Sequence, residues 1–160
     1  QAVALLQDEG MAAPGTSRRA GTLTGPLRRR ANARKLAAFR SDIRDILEFR
    51  SILETASVRL AAARHDEGLV ERLLISIEAN RTAADPSSFR RTDTEFHLAI
   101  AQASGNKRLL GAILIARAEF LRWRDLHPMR DNVDENVEDH LRIVEAIRTH
   151  DEEGAARAMA

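Results

Sequence analysis

Asp93-Thr94-Glu95-Phe96-His97 is the stretch on which the fold and the function of this chain depend. Asp93 and His97 are four residues apart, so on a helix they lie on one face. That face continues through mostly apolar positions, namely Ile100, Ala101 and Ser104. A carboxylate and an imidazole that point into an apolar interior need a partner. A divalent metal ion is one such partner, because Asp oxygen and His nitrogen both ligate it, and a simple buried or solvated Asp–His pair is the alternative.

A second histidine strengthens the prediction of a shared site. His140 belongs to an apolar stripe with the spacing of a helix, whose other members are Val137, Leu141, Val144 and Ile147. This stripe predicts that His140 also points inward. A lone core histidine is usually only hydrogen-bonded. Two inward histidines and an inward aspartate on separate helices instead predict a metal site formed by Asp93, His97 and His140.

The composition indicates an all-helical protein with one good core and a small appendage. The chain has 160 residues, is rich in Ala, Leu, Arg and Glu, and has few aromatic residues. It has no cysteine, which excludes disulfides and cysteine-ligated zinc and is compatible with the expected cytoplasmic location. No apolar run reaches the roughly 18 residues of a membrane span, and no signal peptide opens the chain, so no membrane contact is expected.

Charge is distributed unevenly along the chain. Residues 1–40 carry eight Lys or Arg and two Asp or Glu, whereas residues 41–160 carry seventeen and twenty-two. A basic end joined to an acidic body indicates that the basic end meets a polyanion, although a solvated basic linker would have the same composition. Because the chain begins at Gln1 and stops at Ala160 inside a helical pattern, we expect the protein to continue at both ends.

The N-terminal residues have the pattern of a DNA-binding motif. Residues 1–11 read as the end of a helix, and residues 14–24 as two short strands around a basic turn. A helix followed by a basic hairpin is the second half of a winged helix-turn-helix, and an ordinary surface hairpin is the alternative. The turn residues predicted to contact DNA are Arg18, Arg19 and Gly21.

Three segments are therefore predicted along the chain. Residues 1–26 are the C-terminal part of a winged helix-turn-helix, residues 27–41 are a linker, and residues 42–160 are a helical domain, for which the resemblance given below implies ligand binding. The first helix of that domain is predicted over residues 42–64. The linker is where the two domains would communicate.

Two arginines are candidates for binding an acidic ligand. Arg50 falls on the apolar stripe of the first long helix, three residues after Leu47 and three before Leu53. An inward arginine is costly unless it is paired. Either Glu54, one turn later, neutralises Arg50, or Arg50 receives a carboxylate in a cavity, since a guanidinium binds carboxylates bidentately. Arg117 lies near the apolar stripe of a later helix and is a second, weaker candidate.

Four pieces of sequence occur in an order and at distances typical of one protein family. They are Ala4-Leu5-Leu6-Gln7-Asp8-Glu9-Gly10-Met11 with the Gly21-Thr22 turn, Glu48-Phe49-Arg50 with Leu53-Glu54, Asp93-x-x-Phe96-His97 followed by Ala103-Ser104-Gly105-Asn106, and His140-x-x-Ile143-x-x-Ala146-Ile147 with Asp151, Ala155 and Met159. Together they resemble the FadR-type branch of the GntR transcriptional regulators, over nearly the whole chain.

The resemblance implies a fold and a ligand set. The fold is an all-α antiparallel bundle of six or seven helices, the FCD ligand-binding domain, usually dimeric and preceded here by a partial winged helix-turn-helix. The ligand set is the aspartate and histidine of D-x-x-F-H with two later histidines. Asp93, His97 and His140 match three of these, and the fourth would follow Ala160. Zinc is the first expectation for the metal, and nickel, manganese or iron also suit mixed nitrogen and oxygen ligation.

The predicted function is that of a ligand-responsive regulator without enzymatic activity. A small carboxylate effector would bind the metal and Arg50, and would change the spacing of two DNA-reading heads in a homodimer on a double-stranded operator. One alternative is a metalloenzyme acting on small acids, for which Glu95 is the nearest candidate base, although it turns away from the ligand face. The other alternative is a metal-free helical interaction module in which the three polar residues only form hydrogen bonds.

Overall fold

A computed structural model describes residues 25–64, 67–126 and 132–160, with side chains described from residue 41 onward except at position 67. These ranges contain six helices and no strand. The helices are α1 (Gly25–Arg64), α2 (Glu67–Arg81), α3 (Pro86–Ala103), α4 (Lys107–Leu126), α5 (Val133–Arg148) and α6 (Glu152–Met159). The predicted all-α fold is confirmed. None of the described helices has the length and apolarity that crossing a membrane requires.

The first helix begins much earlier than the sequence predicts. The predicted start is residue 42, after a linker at 27–41, whereas α1 is continuous from Gly25 to Arg64. The residues of the predicted linker are mostly Ala, Leu, Arg and Lys, which favour a helix, and Pro26 falls in the first turn, where a missing N–H is tolerated. The predicted helix start is therefore wrong. Contacts divide the chain after Leu36, and the features described below all belong to the unit that follows.

Helix α3 is held firmly at both ends. At its start the carboxylate of Asp85 accepts hydrogen bonds from the backbone N–H groups of Ser87 and Ser88, as an N-cap residue does. At its end the side chain of Arg64 on α1 donates to the carbonyl oxygen of Ser104 at 2.5 Å. Since α3 carries the D-x-x-F-H stretch, the contact with Arg64 helps to fix the position of that stretch relative to α1.

The apolar core is formed by residues of α1, α2, α3, α5 and α6. Its members are Val58, Ala61, Ala62, Leu69, Leu73, Ile77, Phe96, Ile100, Ile143, Val144, Ile147 and Ala155. Leu47 and Leu141 are predicted to belong to buried apolar stripes, but each side chain is 44% exposed and neither belongs to this core. Helical spacing identifies the buried side of a helix, but the packing of neighbouring helices decides which edge positions are covered.

A buried amide joins α2 to α3. Asn80 is fully buried, and its Nδ2 donates to the carbonyl oxygen of Phe89 at 3.1 Å and to Oγ1 of Thr92 at 3.0 Å. We expect Asn80→Ala to lower the free energy of unfolding by about 2 kcal/mol, because two buried hydrogen bonds are lost. Denaturant titration measures this loss. Gln102→Ala, which removes an exposed amide from α3, is the control and should cost less than about 0.5 kcal/mol; equal effects of both substitutions would contradict the prediction.

Candidate metal centre

Three potential metal ligands converge between two helices. Asp93 and His97 lie one turn apart on α3, His140 lies on α5, and one ligand atom from each is within 4.8 Å of the others. Oδ1 of Asp93 lies 3.8 Å from Nε2 of His97 and 3.5 Å from Nε2 of His140. The centroids of the two imidazole rings are 5.2 Å apart. The structure thus brings together the three residues that the sequence singles out as ligands.

The two histidines are buried and have unused hydrogen-bonding atoms. His140 is 2% exposed, and among the described residues neither of its ring nitrogens has a hydrogen-bond partner; the same holds for Nδ1 of His97. A buried polar atom without a hydrogen bond costs free energy, so a bound partner at Nε2 of His140 would stabilise the folded protein. A donor set of one carboxylate oxygen and two imidazole nitrogens fits zinc or another divalent first-row ion.

The protonation states at the site favour ligation. Burial, reinforced by the charge of Arg117, lowers the pKa of His97 to about 3, so its imidazole is neutral at pH 7. Burial opposes ionisation of Asp93, but its contacts with His140, His97 and Arg117 lower the pKa of Asp93 well below its usual range. A neutral imidazole and an ionised carboxylate are the forms that bind a cation.

Next to the two histidines, the positive charges of two arginines are balanced by the negative charges of two carboxylates. Arg117 is 3% exposed, and it donates to Oε1 of Glu54 at 2.6 Å and to Oδ2 of Asp93. Arg50 donates to Oε2 of Glu54 at 3.3 Å, so this predicted pair is present. Burial works to raise the pKa of Glu54, but the neighbouring His97, Arg117 and Arg50 outweigh it and lower the pKa to about 2. Because His97 is neutral at pH 7, the two arginines are the cations that keep Glu54 ionised.

Two residues that contact the candidate ligands are not predicted from the sequence to do so. Glu54 is predicted only as the partner of a neighbouring arginine, yet its Oε2 also lies 3.5 Å from Nδ1 of His97. Asn136 is not singled out, although its Nδ2 donates to Oδ1 of Asp93 at 3.0 Å. It precedes His140 by four residues on α5, so the same helical spacing that links Asp93 to His97 could have identified it.

The ligands adjoin a cavity of about 430 Å³. Asp93, His97, Arg50 and Arg117 contribute to its wall. The rest of the wall is mixed: it has the apolar side chains of Ile43, Leu47, Phe89, Phe120 and Leu121, and the polar or charged ones of Arg90, Thr94, Arg124, Asn132, Glu135, Asn136 and Asp139. The guanidinium of Arg50 lies 4.3 Å from the ring centroid of Phe120, an arrangement that favours a cation. A cavity of this size, with both apolar side chains and convergent polar groups in its wall, suits a small organic molecule that carries polar groups.

The remaining predicted residues do not contribute to this geometry. Arg18, Arg19 and Gly21 lie outside the described residues. Glu95, the candidate base of the alternative metalloenzyme, is exposed to solvent. Its exposure agrees with the expectation that it turns away from the ligand face.

Comparison with known proteins identifies the family. Residues 45–160 match the FCD domain. This chain belongs to the FCD domain family. The FCD part of the resemblance found in the sequence is therefore confirmed. The winged helix-turn-helix predicted at residues 1–26 lies almost entirely outside the described residues and stays a prediction.

The named relatives of this FCD chain are regulators of transcription. It is 33% identical over 117 residues to the HTH-type transcriptional repressor NanR of Cronobacter sakazakii, covering 70% of this chain and 45% of that protein. It is 32% identical over 121 residues to the putative L-lactate dehydrogenase operon regulatory protein of Escherichia coli, covering 72% and 46%. The chain spans about half the length of these curated relatives. E. coli McbR/YncC has a similar fold, with a TM-score of 0.65, 20% identity and coverage of 73% of this chain and 61% of that one.

Proposed function

We propose that this FCD chain is the effector-sensing part of a ligand-responsive transcriptional regulator, in which Asp93, His97 and His140 hold a divalent metal ion. The observation that carries the proposal is the convergence of these three donors beside a cavity of small-molecule size. The ring nitrogens of His140, which have no hydrogen-bond partner within the described ranges, support the metal, and the names of the relatives support the regulatory role. Zinc is the preferred ion, and nickel, manganese or iron are compatible with the donor set.

The effector is proposed to be a small organic acid. In the metal-free site, the charges of Arg50 and Arg117 are matched by those of Glu54 and Asp93. With a divalent ion bound, these groups would carry two surplus positive charges, one of which a carboxylate would offset. The ion would also offer an open coordination position to a carboxylate oxygen.

Arg50 is the side chain proposed to hold that carboxylate. It lines the cavity, its contacts with Glu54 are long at 3.3 and 3.5 Å, and its buried Nε has no hydrogen-bond partner among the described residues. Charge-assisted hydrogen bonds from a guanidinium to a carboxylate are among the stronger ones in proteins. Arg117, the second candidate from the sequence, also lines the cavity, but both of its Nη atoms already bond to carboxylates.

Regulation would follow from the effect of the bound acid on a homodimer. The acid shifts the equilibrium between two arrangements only by its difference in affinity for them. Helix α1 contains both Arg50 and the predicted linker at 27–41, which supports α1 as the element that responds. The predicted DNA contacts at Arg18, Arg19 and Gly21 would then meet a double-stranded operator in the cytoplasm, without chemistry on the effector.

Metal-dependent binding of small acids tests the proposal. The purified protein is analysed for bound metal, stripped with a chelator, reloaded with Zn²⁺ and titrated calorimetrically with acetate, lactate and citrate as probes. We expect one ion per chain. At least one acid should bind the zinc-loaded protein about tenfold or more tightly than it binds the metal-free protein, and no acid should be converted to a product. Absence of metal uptake by the folded protein would contradict the metal centre, and formation of a product would favour the metalloenzyme.

Replacing Arg50 tests the effector contact. We expect Arg50→Met to weaken binding of the acid probe by about 10- to 100-fold, because one charge-assisted hydrogen bond to the carboxylate is lost while the apolar stem is kept. Calorimetric titration of the zinc-loaded variant gives the affinity. Arg44→Met, which removes an exposed arginine from the same helix, is the matched control and should bind the acid like the parent protein. Equal affinities of the two variants would exclude Arg50 from the effector site.

A further inference from the structure

A buried pair formed by Glu54 on α1 and Arg117 on α4 touches both metal ligands of α3. The two residues are 63 positions apart in sequence and are joined by a 2.6 Å hydrogen bond. Each member of the pair also contacts a residue of α3: Oε2 of Glu54 lies near Nδ1 of His97, and Nη2 of Arg117 donates to Oδ2 of Asp93. The pair therefore lies behind the ligands, on the side away from their convergence point.

The contact between Glu54 and His97 selects one ring nitrogen for the metal. Oε2 of Glu54 lies 3.5 Å from Nδ1 of His97, while Nε2 of the same ring points at Asp93. A movement of about half an ångström would bring Oε2 within ordinary hydrogen-bond distance of Nδ1. Because an ionised carboxylate can only accept, it favours the tautomer with the proton on Nδ1 and leaves the lone pair of Nε2 free.

The contact between Arg117 and Asp93 selects one carboxylate oxygen in the same way. Nη2 of Arg117 bonds to Oδ2 of Asp93, and this leaves Oδ1 as the oxygen that lies between the Nε2 atoms of His97 and His140. Asn136 donates to Oδ1 and limits the rotation of the carboxylate further. A guanidinium can hold two carboxylates at once in fixed directions, which an ammonium group does less well.

We infer that Glu54 and Arg117 are positioning residues of the metal centre, with Glu54 orienting the His97 ring through Nδ1 and Arg117 orienting the Asp93 carboxylate through Oδ2. This inference rests on the proposed metal site. It gives Arg117 a different role from the effector contact predicted from the sequence. Outer partners of this kind fix the orientation of ligands, and their removal commonly lowers metal affinity by about 10- to 100-fold.

Two substitutions separate positioning from a simple effect of charge. Glu54→Gln removes a negative charge near the ion, so its effect alone would be ambiguous. Arg117→Lys keeps the positive charge but loses the rigid fork that joins Glu54 to Asp93. Positioning predicts weaker binding in both variants, whereas charge alone predicts weaker binding only in Glu54→Gln.

The test is a titration of metal-free protein with Co²⁺, followed by visible absorption. We expect both variants to bind Co²⁺ at least about tenfold more weakly than the parent and to show an altered absorption band, because the ligand geometry around cobalt changes. Glu78→Gln and Arg81→Lys, made in an exposed Glu–Arg pair on α2, are matched controls and should keep the parent affinity and band. Circular dichroism of the metal-free proteins shows whether each variant folds.

Each result decides the inference. Parent-like affinity and band in folded Arg117→Lys would overturn it even if Glu54→Gln binds weakly, since charge alone would then be sufficient. Should Arg117→Lys fail to fold, a parent-like band in Glu54→Gln overturns the inference and an altered band supports it, because a charge effect on affinity leaves the band in place. If the parent protein binds no Co²⁺, the proposed metal centre itself is wrong and the positioning roles fall with it.

Discussion

Replacing His140 by alanine is expected to weaken the binding of Zn²⁺ by at least about 100-fold, and His97→Ala should have a similar effect. Each substitution removes one of three donors whose ligand atoms lie within 4.8 Å of one another. Loss of an outer partner alone commonly costs about 10- to 100-fold, so loss of a ligand should cost at least that much. The affinity is measured by competition with a chromogenic chelator.

The control for these variants is a histidine outside the site. His150 lies just after α5, and its Nδ1 is 2.9 Å from the carbonyl oxygen of Ala62. Its φ angle is 55°, so asparagine, which tolerates the left-handed region, is the suitable replacement. His150→Asn should bind Zn²⁺ like the parent protein. Parent-like affinity in His140→Ala would remove this residue from the ligand set.

Phe96→Ala is expected to be the most destabilising single substitution considered, with a loss of about 3–5 kcal/mol in the free energy of unfolding. Phe96 is fully buried in the core, and its ring stacks on that of His140 with a centroid separation of 3.8 Å. Removing the ring therefore leaves a cavity beside His140, a proposed metal ligand. Denaturant titration of the metal-free protein measures the stability, and a zinc titration of the folded fraction should also show weaker binding.

Phe49→Ala provides the comparison for the core substitution. Phe49 is on α1 and is 47% exposed, so its removal should cost less than about 1 kcal/mol. The same side chain is thus deleted in two environments. A loss below about 1.5 kcal/mol for Phe96→Ala would show that the core between α3 and α5 is able to close around the gap.

That Asp93, His97 and His140 point inward could be predicted from the sequence because the pattern that shows it is local. Asp93 and His97 share a face at helical spacing, and His140 lies on the apolar stripe of a single helix. Each of these statements concerns one helix, and the core then brings α3 and α5 together. The all-α fold followed from the same periodicity and from the composition.

The contacts of the proposed positioning residues, Glu54 and Arg117, could not be predicted in the same way. The bond between Arg117 and Glu54 joins α4 to α1, and nothing in the local pattern of either helix specifies the other as its partner. The start of α1 was missed for a different reason. A run of helix-forming residues at 27–41 has no internal breaker, and the basic composition suggested a linker where the local propensity favours a helix.

The origin of the three proposed metal ligands in separate helices has a consequence for the synthesis of the protein. A nascent chain that ends before α5 would contain only two of the three proposed ligands, Asp93 and His97, which α3 alone places on one face. The third donor arrives only when α5 docks beside Phe96. If the proposed metal centre forms, tight retention of an ion would therefore begin only after translation has passed His140.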